Sequence, residues 1–233
     1  VVGGDFYWSR QTERGLYIAV GDCTGHGVPG ALMTVLAISL LDRIVVSGDA
    51  NGPGGIMQEL HRSIKTMLKQ EQSDEYMTDD GLDLGLCMIE KDRLQFCGAG
   101  IALYIKGEKP VMRIPGDRKS IGYRRTPEDY SFTVHDFKLT DDQTLYMTTD
   151  GYYDQNGGEK GYSFGRKAFS AMLDQFNGQS LAQQNLIAML QQALAVRLAI
   201  HLRRPIERRL YIREAHDQIA GALIADPRSA GDV

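Results

Sequence analysis

The 233-residue sequence has few cysteines, none of them in C-x-x-C spacing, and no uninterrupted apolar run of about 20 residues. Cys23, Cys87 and Cys97 are odd in number, which argues against a disulfide framework. Their spacing also argues against a zinc site, and both points favour a reducing compartment, by default the cytosol. Basic residues (26) do not outnumber acidic ones (30), and the net charge of −4 with a pI near 5.7 gives no electrostatic basis for binding nucleic acid. An acidic chain that handles phosphate must neutralise it locally, with arginines or a metal. No segment reads as a signal peptide, no internal repeat or low-complexity tract occurs, and no G-x-S-x-G is present. The length fits one domain, or at most two small ones. Val1-Val2-Gly3-Gly4 opens inside strand-like sequence without an initiator Met, so the expectation is a domain of a longer protein. No membrane contact is expected of this domain, although an upstream region could tether the longer chain.

What is present is organised around Leu16 to Leu36, LYIAVGDCTGHGVPGALMTVL. Leu16 to Val20 is an apolar run short enough for a buried strand. Gly21 to Gly27 is a glycine-dense turn with Asp22 at its start. After Pro29, tolerable near a helix start, the chain becomes helical in character. Strand, carboxylate, glycine turn and helix together place Asp22 at the end of a rigid element and let backbone approach whatever it holds.

The rest of the chain sorts by period. Val1 to Tyr7 and Leu16 to Val20 read as a hairpin, and helices are expected over about Gly30 to Val46 and from Ile56 to Leu68, after a break at Asn51 to Gly55. Gln70 to Asp80 reads as a surface loop. Strands are expected at Leu82–Glu90, Leu94–Cys97, Ala102–Lys106, Val111–Ile114, Ser131–Leu139 and Thr144–Thr149, followed by helices at about Gly165–Phe176 and Ser180–Ala195. Runs of antiparallel strands with helices gathered in pairs predict an α+β fold: two antiparallel sheets face to face, flanked by helix pairs in α-β-β-α layers.

Asp5, Asp22 and Asp150 each lie beside glycine at a strand end or edge, where a hard divalent cation can be reached. Taken singly, each is more simply a turn residue, since Asp caps its own backbone. Gly25-His26-Gly27-Val28-Pro29-Gly30 matches G-x-G-x-x-G, but a pyrophosphate there would face Asp22, and the second strand with an acidic ribose ligand is missing. His26 reads as a residue that fixes the turn or orients a metal-bound water rather than as a general acid.

Taken together and in order, Val2-Gly3-Gly4-Asp5-Phe6-Tyr7, Gly21-Asp22-Cys23-Thr24-Gly25-His26-Gly27-Val28-Pro29-Gly30-Ala31, Gly98-Ala99-Gly100 and Thr148-Thr149-Asp150-Gly151 resemble the metal-dependent protein phosphatases of the protein phosphatase 2C superfamily. The similarity is to the bacterial branch of the sporulation phosphatase and the stress-response sigma-factor regulators, and it covers residues 1 to about 195. It implies hydrolysis of phosphoserine or phosphothreonine on a protein by a water bridging two Mn²⁺ or Mg²⁺ ions. Carried over residue by residue, Asp22 bridges both ions, the Cys23 carbonyl joins the shell, and Asp5 and Asp150 complete one ion. The last ligand falls on Asp217, in His216-Asp217-Gln218-Ile219-Ala220.

The resemblance implies a catalytic domain over 1–225 and a polar tail over 226–233. Within it, Val196 to Arg213 holds six arginines where relatives have a short polar loop; such a run is usually solvated surface. The implied substrate is a phosphorylated protein of the anti-sigma-factor-antagonist type, under an upstream sensor, with homodimerisation of the longer protein an open prospect. The competing readings are a phosphatase-fold binding module with an incomplete metal site, and a nucleotide-binding enzyme that needs no divalent metal.

Overall fold

The computed structural model describes residues 3–48, 50–69, 79–154, 156–157, 162–176, 197–201 and 209–213. In chain order the elements are β1 (Asp5–Thr12), β2 (Gly15–Cys23), α1 (Gly27–Ser47), α2 (Gly52–Met67), β3 (Leu82–Glu90), β4 (Arg93–Ala99), β5 (Leu103–Lys106) and β6 (Met112–Ile114). There follow β7 (Val134–Lys138), β8 (Thr144–Thr148), a 3₁₀ turn (Asp150–Tyr152), β9 (Asn156–Gly157), β10 (Tyr162–Ser163), α3 (Gly165–Asp174), β11 (Arg197–His201) and β12 (Arg209–Arg213). Among the described residues these form two five-stranded antiparallel sheets, ordered β1-β2-β3-β4-β7 and β12-β11-β8-β5-β6, with a short β9–β10 ribbon. The α+β class is the one expected from the sequence.

The chain divides into two compact units, Val1–Leu103 with Arg113–Leu139, and Tyr104–Met112 with Thr140–Val233. In the first unit, strand alternation decides which side chains meet the helices. Phe6 and Trp8 of β1, Tyr17, Ala19 and Cys23 of β2, Leu82, Leu84, Leu86 and Met88 of β3, and Cys97 and Ala99 of β4 share one core with α1 and α2. Helix α1 supplies Met33, Ala37, Leu40, Leu41, Ile44 and Val45, and α2 supplies Ile56, Met57, Leu60 and Ile64. The Leu, Ile and Met side chains among them that are wholly removed from water contribute about 1.5–3 kcal/mol each. Asp42 ties α1 to the hairpin, accepting from Trp8 Nε1 at 3.1 Å and from Arg10 at 3.2 Å. The other residues of these strands lie on the sheet's opposite face, and Ile18, Val20, Cys87, Ile89, Leu94 and Phe96 there are also buried.

In the second unit Phe169 of α3 is the pivot of an aromatic cluster. Its ring meets Tyr104 at 5.0 Å, Tyr152 at 5.1 Å and Tyr153 at 5.5 Å between centroids, all edge to face. Offset and edge-to-face pairs of this kind add to the area they bury.

Four expectations change. Asn51–Gly55 does not break the chain, because α2 begins at Gly52 and takes Pro53 in its first turn, where the missing N–H costs nothing. Helix α1 starts at Gly27, before Pro29. It is also long and apolar enough to cross a membrane, contrary to the reading of the runs; its inward face is accounted for by the core. The arginine-rich tail holds two strands, β11 antiparallel to β8 (Arg197 opposite Thr148) and β12 antiparallel to β11, so it extends the second sheet. The helix expected at Ser180–Ala195, most of the loop Gln70–Asp80 and the tail 214–233 lie outside the described residues.

Candidate metal centre

The first hairpin sets Asp5 opposite Asp22, and β3 sets Asp83 opposite Asp22 on its other side. Residues directly opposite in a sheet project from the same face, so three carboxylates stand in one row at the strand ends. This is the face turned away from α1 and α2. Gly4 and Cys23 form the hydrogen-bonded pair beside them, with Cys23 N–H donating to the Gly4 carbonyl at 3.0 Å. By the antiparallel alternation, Asp5 and Asp22 are then a non-hydrogen-bonded pair, the kind with Cα atoms about 4.5 Å apart and side chains closest.

The backbone around the row is fixed by short-range contacts. A Cβ at Gly4 would overlap the Cys23 carbonyl oxygen, so only glycine lets the strands approach here. Thr34 of α1 donates to the Gly4 carbonyl at 3.2 Å, linking helix to hairpin. Thr24 N–H donates to the Gly81 carbonyl at 2.9 Å, and Gly81 N–H donates back to the Thr24 hydroxyl at 2.9 Å. Gly25 and Gly27 carry φ of +90° and +67°, the left-handed values that turn the chain from β2 into α1. His26 caps α1 without a side-chain hydrogen bond and is exposed, so it does not fasten the turn as the sequence suggested.

The charges register on their neighbours. Burial pushes the Cys23 thiol up to about 12, and Asp22 and Asp5 push in the same direction, while a hydrogen bond with Thr34 opposes them. The thiol is therefore neutral at physiological pH, and what Cys23 can offer a cation is its carbonyl. Burial also pushes the Tyr123 hydroxyl up to about 12; Asp83 adds to this, Arg125 opposes it, and Asp22 and Asp79 add smaller amounts.

The structure thus brings Asp5, Asp22 and Cys23 together on one hairpin. Asp150 stands in the second unit, exposed, two residues beyond β8 rather than closing it; its carbonyl accepts from Tyr153 N–H at 2.7 Å and Asp154 N–H at 3.0 Å. Asp217 lies outside the described residues. Asp83 was missed by the sequence reading. Its signal was the period of β3: with Leu82, Leu84, Leu86 and Met88 on one face, Asp83 must share the other face with Asp22.

No three His, Cys, Asp or Glu side chains close on one point among the described residues. The donor set still suits a hard cation: two adjacent carboxylates and a carbonyl are all oxygen, and Mg²⁺ is typically held by one or two carboxylates while keeping several waters. No thiol joins this set, because the Cys23 side chain lies on the opposite face of the sheet, in the core with α1 and α2.

Residues 12–201 match the sequence model of the Stage II sporulation protein E family, SpoIIE. The chain belongs to this family. Its SpoIIE-type fold is that of the PP2C-type serine/threonine phosphatases, which are metal-dependent. The chain is 34% identical to the SiaA-PP2C domain of Pseudomonas aeruginosa, with a TM-score of 0.70 over 82% of this chain and 73% of that one. It is 27% identical over 157 residues to phosphoserine phosphatase RsbP of Bacillus subtilis (strain 168), covering 66% of this chain but only 37% of that protein. The RsbU and RsbW domains of a Mycobacterium tuberculosis protein share the fold, with a TM-score of 0.64 at 16% identity over 89% of this chain and 57% of that one.

Proposed function

We propose that this SpoIIE-family chain is a metal-dependent serine/threonine protein phosphatase acting on a phosphorylated regulatory protein of the anti-sigma-factor-antagonist type. The observation that carries the reading is the side-by-side placement of Asp5 and Asp22 at the end of the first hairpin, in a chain of this family. RsbP, by its name a phosphoserine phosphatase, supports the reaction class, and the RsbU–RsbW pairing in the mycobacterial protein supports a regulatory partner.

Asp5, Asp22, the Cys23 carbonyl, Asp150 and Asp217 are the residues assigned to hold two Mn²⁺ or Mg²⁺ ions. When bound, such ions would supply Lewis acidity and lower the pKa of a bound water. The chain's own part is placement. Asp22 sits between Asp5 and Asp83 on paired strands, a stiffer support than a loop. Thr34, Thr24 and Gly81 hold the backbone on either side of it. No side chain acts as nucleophile, and the neutral Cys23 thiol is unsuited to the role. Overall, a P–O bond to water oxygen forms as the ester P–O bond breaks, and the seryl or threonyl oxygen leaves as a hydroxyl. The setting we assign is the reducing cytosol, in keeping with three buried thiols.

The reading is tested by release of phosphate from phosphoserine, phosphothreonine and phosphotyrosine peptides under Mn²⁺, Mg²⁺ and EDTA. Metal-dependent release from the first two supports it. Release that survives EDTA, or none from a folded chain under either metal, would overturn it.

A further inference from the structure

Four basic residues, Arg118, Lys119, Arg124 and Arg125, fall within eight positions of a chain whose net charge is negative. They lie on the segment in which Ile121 pairs reciprocally with Leu82, 2.9 Å in each direction. Leu82 directly precedes Asp83, so this basic loop runs along the same end of the sheet as the carboxylate row. Tyr123 lays its ring edge against Gly81, where a Cβ would lie 2.5 Å from Cδ2. The Arg125 guanidinium lies over that ring, with Cζ 5.3 Å from the centroid, and Arg125 is exposed.

The loop is clamped from beneath by two buried polar side chains of α2. His61, 0% exposed, accepts Gly122 N–H on Nδ1 at 2.9 Å and presents Nε2 to the Pro127 carbonyl at 3.0 Å. Nδ1 being an acceptor, the ring proton resides on Nε2. Lys65, 3% exposed, donates to the Thr126 carbonyl at 2.8 Å. Thr126 in turn donates to the Ser120 carbonyl at 2.9 Å, and Arg124 N–H donates to Asp79 at 2.9 Å. Buried polar groups satisfied in this way rigidify what they hold. Burying a histidine and a lysine to pin two carbonyls and an amide is a construction that a mere connecting loop does not need.

A phosphate approaching three carboxylates meets repulsion outside the reach of any cation. A guanidinium matches two phosphate oxygens at once, and stacking on an aromatic ring fixes its orientation beforehand. We propose that Arg125, stacked on Tyr123 and presented by the clamped loop Ser120–Pro127, grips the phosphoryl group of the substrate. The proposal rests on the phosphatase reading above and names the residue that gives it selectivity for a phosphorylated side chain. The Tyr123 hydroxyl, which responds to Asp83, Asp22 and Arg125 together, agrees with this closeness.

The test compares wild type with Arg125→Ala, Arg125→Lys and, just outside the clamped Ser120–Pro127 stretch, Arg118→Ala. Kinetics use p-nitrophenyl phosphate and a phosphoserine peptide under Mn²⁺. Mn²⁺ affinity is titrated separately, and anisotropy compares the labelled phosphopeptide with its unphosphorylated form. The proposal expects Arg125→Ala to raise KM about tenfold, with kcat within about threefold and Mn²⁺ affinity unchanged. Arg125→Lys should recover part of the loss, and Arg118→Ala should leave KM unchanged. An unchanged KM and phosphopeptide affinity in Arg125→Ala would overturn it, as would a wild type with no preference for the phosphopeptide or a parallel loss of Mn²⁺ affinity. Phosphopeptide binding that depends on Arg125 without any turnover would support this proposal and sink the phosphatase reading alone.

Discussion

Asp5 is the cross-strand partner of Asp22, and the two carboxylates share a face with Asp83. Like charges directly opposite one another destabilise a sheet, by about 0.2–1 kcal/mol per pair. The site is therefore strained electrostatically in metal-free solution. Asp22→Asn should fold as well as wild type or better in EDTA. Divalent metal should raise the Tm of wild type and leave that of the variant unmoved. Thermal unfolding with and without Mn²⁺ reads both effects; an Asp22→Asn chain that unfolds in EDTA would contradict them.

Gly4→Ala forces a methyl onto the Cys23 carbonyl. Neither strand can yield without breaking the Gly4–Cys23 hydrogen bond, so the cost should be about 1–3 kcal/mol, as for other overpacking changes. Urea unfolding measures it. Mn²⁺ affinity should fall in the same variant, because the hairpin end carries Asp5 and Asp22, the proposed ligands.

His61→Ala removes the acceptor for Gly122 N–H and the group facing the Pro127 carbonyl. The buried Gly122 N–H loses its partner, at about 1–3 kcal/mol if it finds no other, while the part-buried Pro127 carbonyl can turn to water. Lys65→Met, which keeps volume but not the bond to Thr126, should cost less. Both variants should raise KM more than they lower kcat, since the loop they release is not among the assigned metal ligands. Equal loss in both parameters would contradict the clamp.

Three buried thiols tie stability to alkaline pH. Cys23 and Cys97 are raised from 9.0 to about 12, chiefly by burial, and complete burial raises Cys87 as well. In the unfolded chain these groups ionise from about pH 9, while the folded chain keeps its protons, so folding stability is full below about pH 9 and falls as pH rises toward 12. Each thiol contributes at most about 1.4 kcal/mol per pH unit. Urea midpoints across this range should fall, and Cys87→Ala should reduce the slope by about a third. A midpoint independent of pH there would contradict the burial argument.

Much of this was legible in the sequence for local reasons. The hairpin, β3 and the carboxylates Asp5 and Asp22 are written in short apolar runs and in glycines beside aspartates, and β3 ends where its alternation ends. The tail strands were not legible, because Arg197-Leu198-Ala199-Ile200-His201 is short and charged at both ends; its strand character comes from pairing with β8, about 50 residues earlier in the chain. The clamp was invisible for the same reason: His61 and Lys65 meet their loop partners 61 to 66 positions away, and by spacing on α2 they read only as polar residues on faces other than the apolar one. Asp83 lay between the two cases, its face readable but its register with Asp22 set by the folded sheet.

The most direct measurement of the central claim is hydrolysis of p-nitrophenyl phosphate titrated with Mn²⁺ and with Mg²⁺, with Asp22→Asn alongside and circular dichroism on both proteins. The account predicts turnover that rises with metal to saturation in wild type and is abolished in the folded variant. Normal turnover by Asp22→Asn, or none by folded wild type with either metal, would contradict it.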